Sequence, residues 1–340
     1  REPPMPGLKM QPSQTQYKLA FFTCLLAFCV ILVGAYVRLS DAGLGCPDWP
    51  GCYGQILAPS DPSAVGNAYA ERPLHTAKAW KEMIHRYLAG SLGLAILLLA
   101  AIAWRNRKLG AQPVLLPLLL LVLVVFQAAL GMWTVTLLVK PAIVTAHLLG
   151  GFATLSLLWL LVLRLKPISV TSTTFPTGRE RYLILISLVA VILQITLGGW
   201  TSTNYAAFGC SDFPACYADQ WWPRMDFREA FVIWRGLGVN YEFGVLDNDA
   251  RTAIHMTHRM GALVTLVIVG WLAISLIRRH SGTLRKLGLI LSGVLLLQVS
   301  LGITNVLAQL PLPIAVAHNG VAALLLLTLL TIFWLSSQHE

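Results

Sequence analysis

From Leu287 to Gln338 the chain carries no Asp, Glu, Lys or Arg. A helix needs about 20 mostly apolar residues to cross the hydrocarbon core of a bilayer. The stretch is therefore long enough for two crossings, broken at Pro311-Leu312-Pro313. Eight such windows fit the sequence, at 19–37, 87–104, 114–137, 142–163, 183–202, 260–277, 287–306 and 314–336. Of the 340 residues, 56% are hydrophobic and 12% charged, roughly half the charged share of a soluble domain. The expected fold is an all-α integral membrane protein with eight transmembrane helices. The tail from Arg1 to Gln16 is rich in Pro and Gln and reads as flexible. It lacks the basic-apolar-cleavage order of a signal peptide, so the first apolar run reads as a retained span.

The formal charge of +10 does not point to nucleic acid, because of where it lies. Basic residues fill the connections Arg105-Asn106-Arg107-Lys108, Arg164 to Arg181, and Arg278-Arg279 to Lys286. The connection between spans five and six holds Asp212, Asp219, Asp226, Glu229, Glu242, Asp247 and Asp249. By the positive-inside rule, both termini are expected in the cytoplasm and the two long loops outside.

Cysteine usage agrees with that orientation. Cys46 and Cys52 flank Pro47-Asp48-Trp49-Pro50-Gly51, and Cys210 and Cys216 flank Ser211-Asp212-Phe213-Pro214-Ala215. Each pair follows an odd-numbered span into an outside loop, where an oxidising compartment favours disulfides. The alternative is a metal site, although the spacing matches no zinc pattern. Cys24 and Cys29 lie within the first span and read as small apolar residues. No Cys-x-x-Cys-His occurs, so any haem would be held without covalent attachment.

The chain repeats itself. Gln127 and Gly131 recur as Gln298 and Gly302, and the same offset carries His147 onto His318. His85 answers His258, each followed by Arg (Arg86, Arg259). Two four-span units entering the membrane in the same sense predict two pseudo-symmetric four-helix bundles related by an axis along the membrane normal. The expected divisions are a tail at 1–16, an N-terminal bundle at 17–165, a cytoplasmic linker at 166–181 and a C-terminal bundle at 182–337. Residues 62–80 read as a short amphipathic surface helix with His75 solvated.

Imidazole is costly in hydrocarbon unless it has a function. A single histidine in a span is more often a hydrogen-bonded core residue than a ligand. Two pairs at matched positions, near the outside entrance of spans two, four, six and eight, point to paired axial ligands of haem iron. A proton pathway and another metal such as copper are the competing readings. Arg86 and Arg259 are candidate partners of haem propionates. The halves differ three residues before the first histidine, where Glu82 stands in one and His255 in the other. Positions i and i+3 share a helix face, so Glu82 is expected to point toward the space His85 faces, where a carboxylate could take a proton. The competing reading is a solvated charge at a span end.

The chain resembles the heme A synthase family from about Tyr17 to Ser337. The residues that carry the resemblance are Glu82-x-x-His85-Arg86, Thr145-Ala146-His147, His255-x-x-His258-Arg259, Ala317-His318-Asn319 and the two cysteine pairs. The resemblance implies oxidation of the C8 methyl of heme O to a formyl group, giving heme A for terminal oxidases. It implies His85 and His147 around the substrate haem, Glu82 as catalytic carboxylate, and His258 and His318 around a haem b cofactor. It further implies disulfides Cys46–Cys52 and Cys210–Cys216, a bacterial inner membrane location, and heme O synthase, cytochrome oxidase assembly factors and further copies of the chain as candidate partners. The rival functions are a membrane cytochrome b carrying electrons for quinone and, behind it, a transporter.

Overall fold

A computed structural model describes residues 14–66, 69, 71–108, 113–166 and 176–337. Its helices are α1 (Gln14–Leu39), α2 (Thr76–Arg105), α3 (Leu115–Thr136), α4 (Pro141–Leu165), α5 (Gly178–Thr203), the single turn α6 (Phe227–Ala230), α7 (Asn248–Arg279), α8 (Gly282–Leu307) and α9 (Leu312–Ser337). All but α6 are long and apolar enough to cross a membrane, at 22–32 residues each. Apart from two isolated bridges in the cysteine loops, no strand occurs among the described residues. The protein is thus an all-helical integral membrane protein.

Local chemistry sets the boundaries. Asp247 accepts from the backbone N–H of Ala250 at 3.0 Å and starts α7. Thr177 and Glu180 form a reciprocal capping box at the start of α5, and Pro141 occupies the first turn of α4, where its missing N–H costs nothing. Two helices start earlier than the apolar windows suggest. α2 begins at Thr76 and α7 at Asn248, because polar residues of their first turns are covered by loops instead of lipid. His85 and His258 therefore lie well inside their helices. The expected surface helix over 62–80 is replaced by a 3-10 turn at Pro62–Ala64 and the first turns of α2. Exposed His75 precedes that helix. Of the expected flexible tail, 14–16 belong to α1 and 1–13 lie outside the described residues, as does 167–175 of the expected linker.

In the N-terminal half, α2 and α4 are each flanked by α1 and α3. In the C-terminal half, α7 and α9 are each flanked by α5 and α8. The histidine-bearing helices are thus the diagonal pair of each bundle. The halves meet through α1 on α9, α4 on α5 and α4 on α9. Their shared core includes Leu155, Leu158, Ile184, Leu272 and Leu329. The outer faces stay apolar: Leu115, Leu119, Val122 and Phe126 form an exposed stripe along α3, as suits a surface solvated by acyl chains.

Candidate functional site

The four histidines lie toward the end of the protein that carries both cysteine loops. His85 is the tenth residue of α2 and His258 the eleventh of α7; His147 and His318 are each the seventh of their helices. His85 and His147 lie within electrostatic reach of each other, and so do His258 and His318. Each ring is packed on a glycine of a flanking helix. A methyl group on Gly34 would meet His85 Cε1 at 2.9 Å, on Gly131 would meet His147 Cε1 at 3.5 Å, and on Gly198 or Gly302 would meet the Cε1 of His258 or His318 at 3.2 Å. The rings are half-buried, so part of each stays open. The Nδ1 atoms of His85, His147 and His318 are buried without a hydrogen-bond partner among the described residues.

That donor set suits one chemistry. No group of three or more His, Cys, Asp or Glu among the described residues could hold a bare metal ion. Two imidazoles facing each other suffice when the metal arrives with four equatorial nitrogens of its own, as in a porphyrin. Buried polar atoms without partners are rare unless a ligand explains them. These residues fit a haem in each bundle.

Above each pair sits a disulfide-closed loop. Cys46–Cys52 and Cys210–Cys216 are both bonded. The loops press so closely on the helices that a methyl on Gly45 would meet the Lys78 carbonyl carbon at 2.5 Å, and one on Gly209 that of Arg251 at 2.6 Å. Only glycine permits such backbone contact. Asp48 accepts from the N–H groups of Tyr53 and Gly54, each at 2.7 Å. Asp212 accepts from Ala218 N–H at 2.9 Å.

Glu82 joins loop to helix and does not open freely onto His85. It is 4% exposed. Its Oε2 accepts from the backbone N–H of Cys46 at 2.8 Å and its Oε1 from Arg86. Its hydrogen-bond partners are thus the loop amide and the guanidinium. His255 makes the same clasp in the other half: its Nδ1 accepts from Cys210 N–H at 3.2 Å, and its Nε2 lies 3.3 Å from Arg259 Nε. Arg86 also donates to the carbonyls of Asp48, at 2.9 Å, Pro50 and Gly51. Arg259 donates to those of Ala215, at 3.1 Å, and Asp212, at 2.7 Å. Both arginines, read from the sequence as propionate partners, are here ties to the cysteine loops.

Sequence reasoning passed over several groups. Gln194 Nε2 lies 3.1 Å from His258 Nδ1, and Gln298 Nε2 lies 3.3 Å from His318 Nε2. Gln127 abuts Gly150, where a methyl group would meet its Nε2 at 1.6 Å. The signal for Gln194 was a lone amide in an apolar run. Lys140, 1% exposed, precedes α4 and donates from Nζ to the carbonyl of Arg235 at 2.6 Å, with the ring of Trp234 at 3.7 Å. The second half's long loop is thereby tied to the first half's α4. Trp221 and Trp222 are 58% and 67% exposed.

These features define a polytopic helical membrane protein with two pairs of neighbouring histidines near disulfide-closed loops. The model of the COX15-CtaA family, described as cytochrome oxidase assembly protein, matches residues 17–330. The chain belongs to that family. It is 49% identical over 313 residues to a heme A synthase of Shewanella oneidensis, covering 91% of this chain and 93% of the relative. It is 27% identical over 337 residues to one from Mesorhizobium japonicum, covering 90% and 86%. It is 28% identical over 322 residues to one from Agrobacterium fabrum, covering 88% and 84%.

Proposed function

We propose that this chain is a heme A synthase, an oxidoreductase that converts heme O to heme A. The observation that supports the reading is the set of four histidines, each packed on a glycine of a neighbouring helix, in a COX15-CtaA family member. His85 and His147 hold the substrate haem, and His258 and His318 hold a resident haem b. When bound, that haem b supplies one-electron transfer away from the substrate site. The asymmetry between Glu82 and His255 supports this division of labour: one half offers a carboxylate, the other a neutral ring.

Converting the C8 methyl to a formyl group proceeds through the alcohol: the first step takes an oxygen atom from water and releases two electrons and two protons, and the second releases two more of each. Glu82 is the group of the N-terminal half suited to take those protons. Cys46 N–H and Arg86 fix its two oxygens, so it works from a set position. Apolar side chains of α1–α4 exclude water and suit a farnesylated substrate. Both termini lie in the cytoplasm and the cysteine loops outside, in keeping with the basic residues Arg105, Arg164, Arg278 and Arg279 at the opposite helix ends and the positive-inside rule. A bacterial inner membrane is the expected location, given relatives from bacteria.

The test is co-expression with a source of heme O in a host that makes no heme A, followed by mass analysis of extracted haem. Heme A in the extract supports the reading. Heme O or haem b alone, from a folded and haem-loaded protein, would mark an electron carrier instead.

A further inference from the structure

The two centres are not built alike around their first histidines. In the C-terminal half, Gln194 of α5 reaches across to α7. Its Nε2 lies 3.1 Å from His258 Nδ1 and 3.0 Å from the His258 carbonyl oxygen. Its Oε1 is a buried acceptor with no partner among the described residues. Room for this amide comes from Gly261, where a methyl group would meet Oε1 at 2.4 Å.

The N-terminal half puts its amide elsewhere: Gln127 abuts Gly150 on the helix of His147, and His85 has no such neighbour among the described residues. Gly34 and Gly198 take the same place against their histidines, and Cys46 and Cys210 the same place in their loops. That register places Val30 opposite Gln194. The register of His85 and His258 places Leu88 opposite Gly261. His85 Nδ1, accordingly, is buried without a partner among the described residues.

We propose that Gln194 is a positioning residue that fixes the His258 ring and slows haem loss from the C-terminal bundle, while Val30 and Leu88 leave His85 without such a partner. The inference rests on His258 being a haem ligand. An imidazole that binds iron through Nε2 must carry its proton on Nδ1, and that proton needs an acceptor to fix the ring. A half-turn of the Gln194 amide puts the unpartnered Oε1 on Nδ1. That turn also sets Oε1 against the His258 carbonyl oxygen, which now lies 3.0 Å from Nε2, a cost the Nδ1–H bond has to outweigh. Outer partners of this kind change metal affinity by roughly 10- to 100-fold. They also make the imidazole more basic, which favours the ferric state. A substrate site needs the opposite property, since its product must leave.

The experiment compares Gln194→Leu, Gln194→Glu and His258→Ala in the full-length protein, purified from membranes. The readouts are haem content, resistance of bound haem to transfer into apomyoglobin, and the midpoint potential of the low-spin centre. Gln194→Leu is expected to lose haem at least 10-fold faster and to raise the potential. Gln194→Glu keeps an oxygen acceptor at the same reach and is expected to restore retention and to hold or lower the potential. If both variants keep the wild-type release rate and potential while His258→Ala loses the centre, the role of Gln194 is wrong and ligation by His258 stands. If His258→Ala keeps an unaltered low-spin centre, ligation itself is wrong and the Gln194 inference goes with it.

Discussion

The backbone N–H of Cys46 donates to Glu82 Oε2 at 2.8 Å, and the N–H of Cys210 donates to His255 Nδ1 at 3.2 Å. The same loop amide thus holds a carboxylate in one half and a ring nitrogen in the other. The clasp is a structural device common to both halves, and only its occupant differs. This gives a way to separate holding from chemistry. Glu82→Ala leaves Cys46 N–H and Arg86 without their buried acceptor and is expected to cost on the order of 3 kcal/mol, with heme A formation lost. Glu82→His rebuilds the clasp of the other half. It is expected to melt near the wild-type temperature, to keep its haem, and still to form no heme A. Normal turnover by Glu82→His would remove the carboxylate from the chemistry.

The histidine rings lie on glycines, so a single methyl group should displace them one at a time. Gly34→Ala would place a carbon 2.9 Å from His85 Cε1, and Gly198→Ala one 3.2 Å from His258 Cε1. The first is expected to disturb only the substrate haem and the second only the haem b, read as separate components of the reduced-minus-oxidised spectrum. A common loss of both components in either variant would show that the bundles do not act as separate sites.

Lys140 holds the long loop of the second half over the first through the carbonyls of Arg235 and Gly236 and the face of Trp234. Tyr241 N–H adds a bond to the Leu138 carbonyl at 3.1 Å. A hydrogen bond from a charged donor contributes about 1.5–3 kcal/mol. Lys140→Met is therefore expected to lower the opening free energy of residues 231–243 by about 2 kcal/mol, seen as at least 10-fold faster amide exchange there. Unchanged exchange would mean that Tyr241 alone carries the attachment.

Outside the membrane spans, the Ala218 amide holds the Asp212 carboxyl below the ordinary carboxylate range, helped by the Ser211 hydroxyl. A carboxyl whose folded value is depressed stabilises the fold above its unfolded value and loses that contribution as pH falls through the folded one. Amide protection in residues 210–220 is expected to decline as pH falls below the ordinary carboxylate range and through the depressed Asp212 value. In Asp212→Asn the decline should vanish; an identical decline would place the sensitivity elsewhere.

Much of this was legible in the sequence because bilayer physics leaves few choices. Eight apolar runs gave eight helices, and the spacing of Cys46, Cys52, Cys210 and Cys216 gave two disulfides. What was not legible depends on where loops fold back. The starts of α2 and α7 lie in polar sequence that only the cysteine loops bury. Arg86 and Arg259 also hold the carbonyls of Asp48, Gly51, Asp212 and Ala215, contacts that depend on the fold of the loops. Gln194 could not be matched to its partner from sequence, since His258 is 64 residues away on another helix. A periodicity argument sees faces of one helix, not contacts between two.

The most direct measurement is the reduced-minus-oxidised spectrum, with extracted haem identified by mass, for the purified protein and its four single His→Ala variants. His258→Ala and His318→Ala are expected to remove one and the same haem b component. His85→Ala and His147→Ala are expected to spare that component and to lose heme O and heme A from the extract. If His258→Ala and His318→Ala changed different components, or none, the two rings would not share an iron, and the paired-histidine centres would be refuted.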